Sequence, residues 1–302
     1  MQTVGLIGLG KIGTPIAENL LKGGFRVVGF RRSPTPELEK AGMVRAGSAA
    51  EVGAAADVVL SCLGPVKALE ETVAGLLQSG RPGQIVVELG SYKVAEKARH
   101  IGPLAAKGVK FLDGEVSGTP PMVAARKAAI YLAGDAEAAK AVEPVIKGFA
   151  DASFYLGEFG AATRVKLINN LLVAIHIAST AEAMALGAKA GVDLPTMIKA
   201  ISSGSGSSSA FVQRAQAMAD RHFAPPMGTS AALEHYVVEA QEMAAEFGRA
   251  TPLLDRAAEL YAVAREKGVE NKDIAVMVEV LEGLSREAPK AQKKGWSLFG
   301  KS

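Results

Sequence analysis

Residues 3–24 read TVGLIGLGKIGTPIAENLLKGG. A short run of β-type and apolar residues at 3–7 gives way to Gly8-Leu9-Gly10-Lys11-Ile12-Gly13. A stretch with helical spacing then runs to Gly23-Gly24. A G-x-G-x-x-G set between a strand and a helix has a mechanical meaning. Gly8 permits the tight turn, Gly10 lets the backbone approach a pyrophosphate, and Gly13 lets the helix pack hard on the strand. The free N–H groups at the helix start then meet the anion. Lys11 and Ile12 complete the turn and are expected at the same ligand. The motif alone is weak, but its placement favours a dinucleotide site over a chance glycine turn.

The next β-type run, 26–30, ends in Arg31-Arg32-Ser33. A site for the unphosphorylated dinucleotide usually has Asp or Glu there, accepting from the ribose hydroxyls. Two guanidinium groups cannot accept those bonds but, with the Ser33 hydroxyl beside them, suit a 2′-phosphate. The other reading is a pair of solvated arginines at a strand end. With the glycine turn upstream, NADP(H) is expected, with NADPH preferred over NADH.

Further along, apolar runs at 58–62, 84–88 and 110–112 alternate with helix-like stretches at 12–23, 36–41, 68–78 and 94–107. Runs at 129–133 and 152–155 flank another such stretch, 136–149. Alternation of this kind implies a parallel sheet covered on both faces. After Gly160 no strand signal recurs: helices are expected at 162–191, 195–202, 211–220, 230–247, 252–267 and 274–286. The fold class is thus α/β, a Rossmann-type doubly wound sheet over 1–160 followed by an all-helical domain over 161–288. The helix from 162 forms a spine between the two, and a basic tail occupies 289–302. The loop at 202–209, SSGSGSSS, reads equally as a flexible turn or as cleft lining.

Composition narrows the partners. Of 302 residues, 49% are hydrophobic and 22% charged, as in globular chains. A net charge of +3 and 5% aromatics offer neither a strong field nor a stacking surface, so no nucleic-acid partner is expected. A single cysteine, Cys62, excludes an internal disulfide, and the four histidines lack ligand spacing, so no metal site is expected. The opening residues run straight into a strand without a basic leader, and no segment offers about 18 uninterrupted apolar residues. A cytoplasmic protein with no membrane partner is the expectation.

Lys166 and Asn170 lie four apart on the long helix and share a face, with Asn169 beside them. An ammonium and an amide turned together into a cleft can protonate and orient a carbonyl oxygen, and burial would tune the lysine toward that task. A solvated helix face is the alternative, and position beside a dinucleotide domain favours the first. Residues 113–119, DGEVSGT, read as a turn after a strand that presents amides and the Ser117 hydroxyl to a carboxylate.

Together, GLGKIGTPIAENLLKGG, DGEVSGT and RVKLINNLL resemble, in order and spacing, the signatures of the β-hydroxyacid dehydrogenase family, over nearly the whole chain. The resemblance implies that Lys166 is the general acid/base and that Asn170 holds the substrate. It implies that Ser117, Gly118 and Thr119 bind the substrate, its carboxylate at Ser117 and Gly118. Ser91 would lie near nicotinamide and substrate, and Leu63 would touch the cofactor. The family's members are mostly dimers or tetramers, so a homodimer or homotetramer acting on a small hydroxyacid is implied.

Three positions depart from the family pattern. Thr119 is followed by Pro120 and Pro121, which have no N–H to offer an anion. Glu115 stands where a proline is usual and would repel a carboxylate if turned inward. His235-Tyr236-Val237 stands where the family often has Lys-Asp-Leu. His235 is therefore expected at the cofactor and Tyr236 as a donor to substrate, with helix packing the alternative for both. An imine-reducing enzyme and a non-catalytic NADP(H) sensor remain the rival readings.

Overall fold

The computed structural model describes residues 2–284; the expected basic tail lies outside them. The first half of the chain alternates as anticipated. In order it forms β1 (Thr3–Ile7), α1 (Gly13–Lys22), β2 (Arg26–Phe30), α2 (Pro36–Lys40), β3 (Val44–Arg45), α3 (Ala49–Ala55), β4 (Val58–Ser61) and α4 (Val66–Ser79). Then come β5 (Ile85–Glu88), α5 (Val94–Ala98), α6 (Ile101–Ala105), β6 (Lys110–Ser117), α7 (Pro120–Ala124), β7 (Ala129–Ala133), α8 (Ala136–Phe149) and β8 (Ala152–Tyr155).

The eight strands make one sheet in the order β3-β2-β1-β4-β5-β6-β7-β8, parallel throughout except for the β6–β7 pair. Every residue of β4 and β5 is buried, as strands covered on both faces must be. Two apolar cores hold the faces. Leu6, Ile16, Leu20, Leu60, Val87 and Phe149 sit in one, and Ile7, Val52, Val59, Leu69, Leu76 and Val86 in the other. The chain reverses direction along the sheet at β1, so the crevice outside the carboxyl ends of β1 and β4 is where such sheets take ligands.

Several local readings change. Residues 113–117 are not a turn: β6 continues through them to Ser117, because β7 pairs with this segment antiparallel and extends the ladder. The helix expected at 94–107 is two short helices, α5 and α6, separated at Arg99-His100. Pro120 and Pro121 do not impoverish a loop; they open α7, where a missing N–H costs nothing. β3 and α3 went unforeseen, one for its two-residue length and the other for its alanines and glycine.

The remaining chain is helical: α9 (Ala161–Lys189), α10 (Leu194–Ser202), α11 (Ser209–Ala219), α12 (Ser230–Glu246), α13 (Pro252–Glu266), a 3-10 turn at Ile274–Val276 and α14 (Met277–Glu282). Past the end of α9, Gly191 adopts φ +74°, and the Val192 amide closes back on the Gly187 carbonyl at 3.0 Å, a glycine-dependent stop. By length and composition α9 is long and apolar enough to cross a membrane, although, as expected from the sequence, Lys166, Asn169, Asn170, His176 and Glu182 interrupt its apolar run; Thr163, Lys166 and Asn170 are buried polar residues on it. The chain forms two compact units. Among the described residues the first comprises 2–172 with 235–251, and the second 173–234 with 252–284. The second unit is cored by Phe211, Met218, Tyr261 and Val276, with a buried Arg214–Asp273 ion pair at 3.2 Å.

Candidate active site

The glycine turn behaves as its residue types require. Gly8 has φ +95°, and a Cβ there would lie 2.2 Å from the Cys62 carbonyl oxygen. A Cβ on Gly13 would lie 2.0 Å from the Gly8 oxygen. At Gly10 a Cβ would meet nothing within 4 Å, so that glycine faces open space, as a position against which a ligand backs must. The amides of Gly10, Lys11 and Ile12 find no backbone acceptor among the described residues.

This turn walls a groove of about 750 Å³ that is also lined by Arg31, Arg32, Ser33, Cys62 and Leu63. Gly8, Gly10, Leu63 and the three residues after β2 are therefore brought together; Lys11 is exposed beside them and Ile12 and Gly13 lead into α1. A smaller hollow of about 460 Å³ is shared by Arg31, Arg32 and Arg45. Arg45 was missed in the sequence, because a two-residue strand leaves no alternation to mark its end. Burial pushes the Cys62 thiol up to about 12, so it lines the groove as a neutral group.

A second set of groups gathers where β5 and β6 end. The two strands run parallel with Glu88 opposite Asp113, so the residues just past β5, Gly90 and Ser91, come beside Glu115 and Val116. Ser91 Oγ donates to Glu115 Oε2 at 2.9 Å. Lys97, fully buried on α5, donates to Glu115 Oε1 at 3.0 Å, Asp113 Oδ1 at 2.9 Å and the Gly114 carbonyl at 3.1 Å. Thr163 at the start of α9 closes on Asp113 through its amide at 3.0 Å and its hydroxyl at 2.7 Å. Lys97, Asp113 and Thr163 had no signal of their own: a lysine in a helical stretch reads as solvated until tertiary packing buries it.

Lys166 enters this set from α9. Its Nζ donates to the Val116 carbonyl at 2.7 Å and lies 5.6 Å from the centroid of the Tyr236 ring. It is 8% exposed. Burial lowers its pKa, opposed by the nearby Glu115. Asn170 is buried one turn on; its Oδ1 accepts from Asn169 Nδ2 at 3.3 Å while its own Nδ2 has no partner. A buried amide donor without an acceptor, beside a buried amine, is poised for a ligand oxygen.

Tyr236, on α12, differs from expectation. Its hydroxyl donates to Ser91 Oγ at 3.1 Å, so the proton offered to a substrate is already committed. Burial raises its pKa. His235 is exposed, with its ring 5.8 Å from that of Tyr236 and Nε2 3.5 Å from Glu239. Glu115 is 1% exposed and held by Lys97 and Ser91, so it does not stand as a free anion against a substrate. Burial raises its pKa against the pull of Lys97 and Lys166. Ser117, Gly118 and Thr119 are half-buried at the end of β6; a Cβ on Gly118 would sit 2.8 Å from that of Ala128.

Known proteins share both halves of this arrangement. A family model described as the NAD binding domain of 6-phosphogluconate dehydrogenase matches residues 3–157. Another, the NAD-binding domain of NADP-dependent 3-hydroxyisobutyrate dehydrogenase, matches 160–281. The 2-(hydroxymethyl)glutarate dehydrogenase of Eubacterium barkeri is 29% identical over 93% of this chain and 95% of its own length. The L-threonate dehydrogenase of Cupriavidus necator is 33% identical over 70% of this chain and 74% of its own. Among solved structures, Mycobacterium tuberculosis 3-hydroxyisobutyrate dehydrogenase with L-serine superposes with a TM-score of 0.84 at 25% identity, covering 94% of this chain and all of that one. With its glycine turn, its buried Lys166–Asn170 pair and these matches, the chain belongs to the β-hydroxyacid dehydrogenase family of NAD-binding oxidoreductases.

Proposed function

We propose that the protein is an NADP(H)-dependent dehydrogenase that interconverts a small β-hydroxyacid and its semialdehyde or keto form. The observation that carries this reading is the Lys166–Asn170 pair. A buried ammonium and an unpartnered buried amide N–H stand one helical turn apart beside the ends of β5 and β6. A redox sensor has no use for a proton donor there, and an imine substrate would draw on a Tyr236 proton that Ser91 already takes.

The open face of Gly10 and the free amides after it fit a pyrophosphate, and Arg31 and Arg32 at the end of β2, with Arg45, fit a 2′-phosphate. Bound there, the cofactor supplies or takes up the hydride. The chain's own residues do the rest. In reduction Lys166 gives its proton to the carbonyl oxygen, and in oxidation it takes the proton back. Asn170 Nδ2 donates to the same oxygen and fixes its direction. Ser117 and Gly118 receive the carboxylate, and Ser91 borders the reacting carbon. Relatives named for 2-(hydroxymethyl)glutarate, L-threonate and 3-hydroxyisobutyrate support this substrate class.

The test pairs binding with turnover. Fluorescence titration is expected to give tighter binding of NADPH than of NADH, and equal affinity would overturn the phosphate assignment. In a small-carbonyl screen, Lys166→Ala is expected to lose about 10²- to 10⁴-fold in turnover with NADPH affinity nearly unchanged. Wild-type turnover in that variant would remove Lys166 from the reaction.

A further inference from the structure

Ser91, Tyr236 and Glu115 form one hydrogen-bonded chain, and its direction is fixed from the buried end. Lys97 is fully buried, and its ammonium requires carboxylate partners; it has two, Asp113 and Glu115. An ionised Glu115 only accepts. Ser91 must therefore spend its single proton on Glu115 Oε2, and it accepts from Tyr236. Tyr236 has then spent its own proton on Ser91. The free positions left on both hydroxyl oxygens are lone pairs, while the Tyr236 ring lies beside the Lys166 ammonium. The cluster thus offers a donor at Asn170 and only acceptors at Ser91 and Tyr236, while Lys166 donates as the ammonium and accepts the carbinol proton as the free amine.

We propose that Glu115 is a positioning residue that sets substrate choice: by holding the Ser91 and Tyr236 hydroxyls as acceptors, it selects β-hydroxyacids that carry a second hydrogen-bond donor, a hydroxyl or an ammonium. This rests on the dehydrogenase reading above. A methyl group in that place covers two half-buried lone pairs and leaves them without a partner, whereas a hydroxyl or ammonium satisfies them.

Four compounds sharing one carbinol and one carboxylate make the test: 3-hydroxypropanoate, 3-hydroxy-2-methylpropanoate, 2,3-dihydroxypropanoate and serine. With NADP+, kcat/KM for the dihydroxy acid or serine is expected to exceed that for the methyl compound by about tenfold or more, the worth of one hydrogen bond to a polarised group. In Glu115→Gln, Lys97 holds the amide oxygen, so the NH2 turns to Ser91 and the chain reverses; the ratio is expected to fall toward one. Tyr236→Phe removes one acceptor and leaves Glu115 and Lys97 in place, and it is expected to lower the same ratio, which covers the case in which Glu115→Gln fails to fold. Calorimetric titration of the four compounds into enzyme holding NADPH reads the same preference without turnover. A wild-type preference for the methyl compound, or a ratio unchanged in the folded Glu115→Gln or Tyr236→Phe protein, overturns the proposal. Absence of turnover with all four would count against the dehydrogenase reading instead, and the calorimetric ratio would still decide this one.

Discussion

Lys166 carries the sharpest expectation at the scale of single residues. Its amine is buried against the Val116 carbonyl and faces Glu115 and the Tyr236 ring. Desolvation lowers its pKa below the ordinary 10.5, and Glu115 partly restores it. Carbonyl reduction needs the ammonium and alcohol oxidation needs the free amine. The reductive kcat/KM is therefore expected to fall as pH rises through a value below 10.5, while the oxidative kcat/KM rises through the same value. Glu115→Gln removes the restoring charge and is expected to move both limbs to lower pH. Stopped-flow pH profiles in the two directions check this, and a limb at or above 10.5, or one that moves up in the variant, contradicts it.

At the scale of elements, the strand–turn–helix at the N-terminus was legible because each glycine has a distinct mechanical need. Gly8 and Gly13 are locked by backbone atoms about 2 Å from where a Cβ would stand, but Gly10 is not. Gly10→Ala is thus expected to fold with an unchanged thermal midpoint and yet to bind NADPH at least about tenfold more weakly, the methyl occupying the place of a phosphate oxygen. Circular dichroism melting and fluorescence titration together check it; a loss of stability would mean that the turn, not the ligand, requires that glycine. The chemistry beyond β5 was less legible. Lys166 and Asn170 could be read because helical spacing places them on one face. Lys97 and Asp113 could not, since their meeting depends on the parallel register of β5 with β6. Residues 113–117 looked like a turn because Gly and charged residues weaken a strand pattern, and only pairing with β7 keeps them extended.

At the scale of the whole molecule, the change of sequence character at residue 160 marks where strands stop, not where packing stops. The first compact unit recruits 161–172 and 235–251, and with them Thr163, Lys166, Asn170 and Tyr236. No local pattern encodes such recruitment, because it is made of contacts between residues far apart in sequence. The same packing puts carboxylates in a dry interior, and this should register in global stability. Glu88, at the end of β5, is fully buried; Oε1 accepts from the Gly90 amide at 2.7 Å, and the buried Ser61 hydroxyl stands beside the carboxyl. Burial raises its pKa from 4.5 to about 7, with Lys97, the Ser61 hydroxyl and the Gly90 amide pulling the other way. Below pH 4.5 the group is protonated in both folded and unfolded chains and contributes no difference. As pH rises toward 7 the unfolded chain releases the proton first, so this one residue costs stability, up to about 3 kcal/mol above pH 7. Glu88→Gln keeps the Gly90 bond and removes the charge. Urea unfolding is therefore expected to show the variant more stable than wild type at pH 8, by on the order of 1–3 kcal/mol, with the gap closing toward pH 4.5. A variant that is less stable at pH 8, or a gap that does not change with pH, would mean that Lys97, the Ser61 hydroxyl and the Gly90 amide hold Glu88 as a carboxylate more strongly than burial opposes it.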